Sequence, residues 1–171
     1  LMKKIFFLTL AICMIILIQK SEAEQKSIPI IERGKKVSIE YRLRLADGAV
    51  VDSNVGKAPL TYIQGAQQII PGLERQLEGM KQGEAKKIEV SIKEGYGEYK
   101  SSLIQEIPKN SINSADLSVG AKLYSQDAYG RMVTALIKEI KKDTVVIDMN
   151  HPLAGKNLYF DVKVIKIENA K

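Results

Sequence analysis

Hydrophobic and polar residues alternate most regularly over residues 36–45. An apolar or aromatic side chain stands at every second position, and charged or hydroxyl side chains occupy the positions between them. Because successive side chains of a β-strand point to opposite faces, this pattern predicts a strand with one buried face. Asp47 and Gly48 follow, a pair that tight hairpin turns prefer, and residues 49–53 are the predicted partner strand.

Two later segments show the same alternation. Residues 88–92 place isoleucine, valine and isoleucine at every second position. Near the C-terminal end, the apolar residues of segment 158–164 share one parity, whereas Ile165 and Ile167 share the other. One extra residue in a strand produces such a change of face, so a β-bulge is predicted near Val164.

One short helix is predicted to begin at Pro71. Proline is common at the first helical position because its missing N–H would have no intrahelical partner there. Leu73 and Leu77 then lie on one face, and Gly79 follows where the helix can end. A helix of about two turns is not stable in isolation, so we expect it to lie across the concave face of the sheet.

A second, smaller antiparallel sheet is predicted farther along the chain. Two strands at residues 122–125 and 131–140 pair across a turn, and a third strand follows at residues 144–149. The segments 107–108 and 116–120 contain proline or glycine and are expected to be irregular entry and turn segments. A unit this small buries little apolar surface, so we expect low intrinsic stability.

Residues 1–23 have the pattern of an export signal. Two lysines precede an apolar run at residues 5–18, and Ser-Glu-Ala at residues 21–23 supplies small residues at the two positions that a signal peptidase reads. We expect cleavage before Glu24. One alternative is an uncleaved membrane anchor, for which the apolar run is short. A second is a lipoprotein modified at Cys13, which the bulky isoleucine before the cysteine disfavours. A third is a buried core helix.

Composition and charge narrow the possible chemistry. The chain has 171 residues, of which 45% are hydrophobic and 27% charged, so it can form one or two small domains. Loss of the signal would lower the net charge from +6 to +4, and the lysines are interleaved with glutamates, so no nucleic-acid binding is expected. The chain has one cysteine and one histidine, and we expect no disulfide, metal or cofactor.

An ordered series of motifs spans residues 41–97. Its members are Tyr41, Asp47-Gly48, Val51-Asp52-Ser53, Ile69-Ile70-Pro71-Gly72-Leu73-Glu74, Gly79-Met80, Gly83-Glu84 and Tyr96-Gly97. The series resembles that of FKBP-type peptidyl-prolyl isomerases. About 50 residues then separate this series from Asn150-His151-Pro152-Leu153-Ala154-Gly155 and Phe160-Asp161-Val162. A small FKBP would need only a short flap between the series and its closing strand. That spacing resembles the SlyD-like branch, in which a chaperone domain replaces the flap.

The resemblance implies an α+β fold that is mostly β, with a twisted antiparallel sheet, one short helix across it and a small inserted antiparallel β domain. Residues 24–101 and 151–171 would form the discontinuous isomerase domain, and residues 102–150 the inserted domain. His151 is expected to be a turn residue at the hinge between them.

The resemblance also assigns site residues. The catalytic residues would be Tyr41, Asp52, Ile70, Tyr96 and Phe160. The residues that contact the substrate would be Val51, Leu60, Tyr62, Ile69 and Leu73. Drug-binding FKBPs have large aromatic residues where this chain has Val51, Leu60 and Leu73, so a shallower pocket is expected here. The alternative for Val51, Leu60, Ile69 and Leu73 is that they form only core.

The implied activity is cis-trans isomerisation of X-Pro bonds in unfolded or partly folded exported proteins, without a cofactor. The protein would be a periplasmic or otherwise extracytoplasmic bacterial monomer that contacts the membrane only through an uncleaved signal. The insert would bind nascent or unfolded clients through its apolar side chains. These are Met132, Val133, Leu136, Ile137, Val146 and Met149. They could instead form only the core of the insert, and the alternative function is a non-catalytic holdase.

Overall fold

The computed structural model describes residues 28–112, 117–126 and 129–170. The predicted signal segment, residues 1–23, lies outside this part of the chain, as do residues 113–116 and 127–128. The strands are β1 (Lys35–Arg44), β2 (Val50–Ser53), β3 (Leu60–Ile63), β4 (Ala85–Val90), β5 (Ile104–Pro108), β6 (Lys122–Gln126), β7 (Met132–Ile140), β8 (Thr144–Asp148) and β9 (Leu158–Asn169). Helix α1 spans Pro71–Leu77, and short 3-10 turns occur at Ile92–Glu94, Ser101–Leu103 and Lys109–Ser111. None of the helices in the described ranges is long and apolar enough to cross a membrane.

The first sheet contains five strands in the antiparallel order β2-β1-β9-β4, with β3 also paired to β1. The alternation predicted for β1 is confirmed, because Val37, Ile39 and Leu43 are buried while the residues between them are not. Side chains of the same parity on β9 complete the core beneath them. The predicted fold class, mostly β with one short helix, is therefore confirmed.

Two irregularities interrupt the pairing of β1. On β9, Ser38 pairs with Lys166 and Ile39 with Val164, so Ile165 is the extra residue, as predicted. A second shift lies between β1 and β2, where the extra residue is Val51 and was not predicted. A bulge rotates the side chains that follow it, so it changes which residues of β2 face the core.

Helix α1 begins at Pro71, as predicted, and packs closely against the sheet. Leu73 and Leu77 are buried. A Cβ atom on Gly72 would lie 2.6 Å from Val90 Cγ1, so only glycine permits this approach. The buried Glu74 carboxylate accepts the Gly65 N–H at 2.8 Å, which ties the helix to the loop before it.

The second sheet contains four antiparallel strands in the order β5-β8-β7-β6. Its core is small, formed by Ala135, Ile137, Val145 and Ile147 with partly buried neighbours. The prediction that residues 107–108 are irregular is wrong, because they end strand β5. Strand β5 lies at the edge of the sheet, where the N–H that proline lacks is not required.

Hydrogen bonds connect the two segments of chain that join the sheets. Met149 N–H donates to the Leu103 carbonyl at 3.0 Å, and Lys100 N–H donates to Asn150 Oδ1 at 2.9 Å. The Tyr99 hydroxyl donates to Asp148 Oδ2 at 2.6 Å. The second sheet falls within residues 102–150, but the division into two domains at those boundaries stays a prediction.

Candidate active site

An open cavity of about 510 Å³ lies on the first sheet beside the start of α1. Twelve residues line it: Tyr41, Leu43, Asp52, Leu60, Gln67, Gln68, Ile69, Ile70, Pro71, Leu73, Tyr96 and Phe160. Most of these side chains are apolar, and the polar ones lie among them. The arrangement is typical of a site that binds an apolar group and orients it with a few hydrogen bonds.

The cavity wall is continuous with the hydrophobic core. Phe160 on β9 pairs with Leu43 on β1, and both are almost fully buried. The ring of Tyr41 lies 6.1 Å from that of Phe160 at an interplanar angle of 57°. Leu73, in the first turn of α1, is exposed by only 3%. The wall is therefore formed by side chains that pack in the core or against it.

Tyr41 and Asp52 form a hydrogen-bonded pair in the cavity. The Tyr41 hydroxyl donates to Asp52 Oδ2 at 2.5 Å. Burial, the hydrogen bond to Asp52 and the charge of Asp52 raise the pKa of Tyr41 to about 12, with burial contributing most. Tyr41 therefore stays protonated through the physiological range and holds the carboxylate without exchanging a proton.

Asn54 secures the strand that carries Asp52. Its side-chain oxygen accepts the Tyr41 N–H at 2.6 Å, and its amide nitrogen donates to the Ile39 carbonyl at 3.0 Å. These bonds connect the end of β2 to β1 and support the position of Asp52. The sequence contains no signal that singles out this asparagine, because its role depends on the register between the strands.

Two groups at the cavity edge can bind substrate carbonyl oxygens. Tyr96, which follows the turn at Ile92–Glu94, is 39% exposed and carries a phenolic hydroxyl. The N–H of Ile70, just before α1, makes no hydrogen bond with another described residue. Both are donors beside an apolar surface, so a bound peptide can be oriented from two directions.

Two of the predicted substrate-contacting residues lie outside the cavity lining. Val51 is the bulged residue of β2 and is 42% exposed. Tyr62 is 2% exposed within the core, where burial, with the charge of Glu74, raises its pKa. Val51 lies outside the lining because a bulge turns it away from the cavity, and Tyr62 because the core continues beyond the cavity; their contact with substrate stays a prediction.

Four lining residues were missed by sequence reasoning: Leu43, Gln67, Gln68 and Pro71. The alternation in β1 could have identified Leu43, which shares its face with Tyr41. Gln67 has an unusual φ of +56°, and Gln68 Oε1 accepts the Ile63 N–H at 2.8 Å. No local pattern indicates that these two side chains reach the cavity.

A second open cavity, of about 650 Å³, lies on the second sheet. Its lining is Ile107, Ser111, Ile112, Lys122, Leu123, Tyr124, Ser125, Gln126, Val133, Ala135, Ile147 and Met149. Of the predicted client-binding residues, only Val133 and Met149 are among them. Of the other four, three have the opposite strand parity, and Ile137 shares the face of Val133 but is buried.

The four remaining residues show why the prediction combined two faces. Ile137 is fully buried and belongs to the small core, as the alternative interpretation has it. Met132 and Leu136 lie on the opposite face of β7, and Val146 has the parity opposite to the buried Val145 and Ile147 of β8. Both faces carry apolar side chains, so composition alone could not separate them.

Comparison with known proteins identifies the class. Residues 29–165 match the family of FKBP-type peptidyl-prolyl cis-trans isomerases. The chain therefore belongs to this family, and its enzymatic class is that of a peptidyl-prolyl cis-trans isomerase.

Similar curated proteins place the chain near one branch of the family. The SlyD protein of Haemophilus influenzae is 38% identical over 141 residues, which cover 82% of this chain and 74% of that protein. SlyD of Helicobacter pylori is 39% identical over 128 residues, 74% of this chain and 69% of the relative. SlyD of Escherichia coli K12 is 38% identical over 135 residues, which cover 78% of this chain and 68% of that protein. The chain is thus SlyD-like.

Proposed function

We propose that this isomerase acts on X-Pro bonds of unfolded or partly folded exported polypeptides, which the second sheet holds near the catalytic cavity. The observation that carries the proposal is the presence of two open, largely apolar cavities on neighbouring sheets. One has the polar groups expected at an isomerase site. The other has an extended lining on a small, partly exposed sheet.

The proposed catalytic mechanism needs no nucleophile or proton transfer. Rotation about an X-Pro bond requires loss of amide resonance, and the barrier is about 18–20 kcal/mol. The planar imide is more dipolar than the twisted transition state, so a largely apolar cavity favours the twisted form relative to water. Phe160 and Leu73 would hold the proline ring, while Tyr96 and the Ile70 N–H would bind flanking carbonyls.

The pair formed by Tyr41 and Asp52 completes the proposed site. Its carboxylate lies at the cavity lining, with one oxygen already bonded to the Tyr41 hydroxyl. We assign it an orienting role toward the imide rather than acid-base chemistry. A titratable catalyst would be matched to neutral pH, whereas the pKa of Tyr41 lies near 12.

The second sheet would raise the local concentration of client segments. A chain held in the cavity of about 650 Å³ would present its prolyl bonds to the first sheet repeatedly, as in tethered binding. The rival function is a holdase in which the first sheet serves only as scaffold. The two differ in one observable, acceleration of prolyl isomerisation in a short peptide by the purified protein.

Substitution of Tyr96 by phenylalanine tests the proposed site. The ring and its contacts remain, but one carbonyl loses its donor, so kcat/KM for a proline tetrapeptide should fall roughly tenfold, equivalent to 1.4 kcal/mol. Protease-coupled or NMR exchange kinetics measure this. Tyr159→Phe, outside the cavity lining, is the matched control and should retain the normal rate. Unchanged kinetics for Tyr96→Phe would remove the hydroxyl from the mechanism.

Export is proposed from the N-terminal pattern. A charged start, an apolar run at residues 5–18 and small residues at 21 and 23 should direct secretion and cleavage before Glu24. The measurement is N-terminal sequencing of protein recovered from fractionated cells. A product that keeps residues 1–23 and stays in the membrane fraction would contradict cleavage and favour the anchor.

A further inference from the structure

An aromatic stack connects the rim of the catalytic cavity to the chain that returns from the second sheet. The rings of Tyr96 and His151 lie almost parallel, with centroids 3.7 Å apart and an interplanar angle of 4°. Tyr96 lines the catalytic cavity, whereas His151 lines a smaller cavity beside the second sheet. The two residues are far apart in sequence, so this contact exists only because the two chain segments run side by side.

The orientation of the His151 ring is itself held by a turn. The Leu153 N–H donates to His151 Nδ1 at 3.1 Å, and the Ala154 N–H donates to the His151 carbonyl at 2.9 Å. Because Nδ1 accepts, a neutral ring carries its proton on Nε2. Desolvation lowers the pKa of His151, which favours that neutral form.

The turn is anchored on both sides of the stack. The Gly155 N–H donates to the Gly97 carbonyl at 2.8 Å, directly after Tyr96 in the chain. Before the turn, Asn150 Nδ2 donates to the Lys100 carbonyl at 2.9 Å. His151 is itself exposed, but these bonds hold the turn that carries its ring, on which the 39% exposed Tyr96 stacks.

An exposed tyrosine has rotational freedom about its side-chain bonds, and ordering it costs conformational entropy. A parallel ring held against one face removes most of that freedom before the substrate arrives. Since a donor contributes to catalysis only in the productive geometry, prior orientation of the hydroxyl increases its effect. Nothing on the strand that precedes Tyr96 provides a comparable ring contact within the described residues.

We propose that His151 is a positioning residue for the isomerase reaction: its ring stacks on Tyr96 and directs the Tyr96 hydroxyl toward the substrate carbonyl. This inference rests on the role proposed above for Tyr96. It makes the geometry of the catalytic rim dependent on the chain segment that leaves the second sheet. The sequence-based expectation for His151 was a turn residue alone.

Two substitutions separate the ring from the turn. In His151→Asn the side-chain oxygen can still accept the N–H two residues on, as in an Asx-turn, but the ring is gone. In His151→Phe the ring remains, but the acceptor is lost. A role confined to the turn predicts that asparagine is tolerated and phenylalanine is not, which is the reverse of what positioning requires.

The assay is isomerisation of a proline tetrapeptide by the full chain, with kcat and KM measured separately. His151→Asn should lower kcat/KM about five- to tenfold, with the same division between kcat and KM as Tyr96→Phe. His151→Phe should stay within about twofold of the unsubstituted protein. In the double variant, His151→Asn should add nothing to Tyr96→Phe, because the group through which it acts is already absent.

Ring-current shifts give an independent readout that survives a change in stability. The Tyr96 ring protons are assigned as the signals that disappear in Tyr96→Phe when the other aromatic residue types are deuterated. The stack should shift these signals in the starting protein and in His151→Phe. They should move toward unstacked values in His151→Asn. Thermal melts by circular dichroism establish that each variant is folded at the assay temperature.

Several results would overturn the inference. They are unchanged activity of His151→Asn, impairment of His151→Phe equal to that of His151→Asn, or losses that multiply in the double variant. If Tyr96→Phe is impaired while His151→Asn is normal, only the positioning role fails. If Tyr96→Phe itself is normal, the proposed role of the Tyr96 hydroxyl fails as well.

Discussion

Replacement of residues 102–149 by a short flap should leave the rate of tetrapeptide isomerisation within a few-fold of normal. The same replacement should lower kcat/KM for a protein with proline-limited refolding about 100-fold, which is the scale of a lost tethering effect. A tetrapeptide is too short to use the second cavity, so it reports on the catalytic cavity alone. A refolding chain depends on both. Keeping Asn150 and His151 in the variant preserves the contacts with Lys100 and Tyr96.

A matched pair of substitutions controls for indirect effects of removing so much chain. Val133→Ser alters a residue that lines the cavity of the second sheet, and Val146→Ser alters one on the opposite face of the neighbouring strand. Only the first should slow catalysed refolding. Equal loss on both substrates after the replacement, or no loss on either, would contradict the division of labour between the sheets.

Phe160→Ala should destabilise the protein by about 3–5 kcal/mol, the usual cost of removing a buried aromatic ring. Phe160 is 6% exposed and pairs with Leu43 on one side and Ile88 on the other, so the cavity left behind cannot close easily. Urea unfolding followed by circular dichroism measures the change. Because the same ring lines the catalytic cavity, activity in the folded variant should fall more than tenfold.

Phe160→Leu provides the comparison, since it retains most of the apolar volume and should lose less stability than alanine. If the ring also holds the substrate proline, the leucine variant should recover stability more completely than activity. Recovery of both in parallel would mean that Phe160 acts only through packing. Normal stability of the alanine variant would contradict a packing role for the buried Phe160 ring.

Patterns within single segments were predictable because strands and helices have fixed periods. The alternation on β1, the turn at Asp47 and Gly48, the helix from Pro71 and the bulge on β9 were all confirmed. The same periodicity could not decide which of two apolar faces is covered. For β7 and β8 the sequence-based prediction therefore combined residues from both faces.

Most of the residues that the resemblance assigned to the site lie together in the structure. Eight of the ten predicted catalytic and substrate-contacting residues line one cavity. The two exceptions are Val51 and Tyr62. Tyr62 shares a face of β3 with Leu60, and only its depth beneath the rest of the fold removes it from the cavity.

By itself, the sequence determined the alternating patterns of β1 and β9, the helix, the family and the chemical types of side chain available to the site. Tertiary structure alone decided that Val51 bulges away, that Asn54 supports Asp52 and that the rings of Tyr96 and His151 stack. The physical reason is distance along the chain. Local periods depend on neighbouring residues, whereas register shifts and ring contacts depend on segments that meet only after folding.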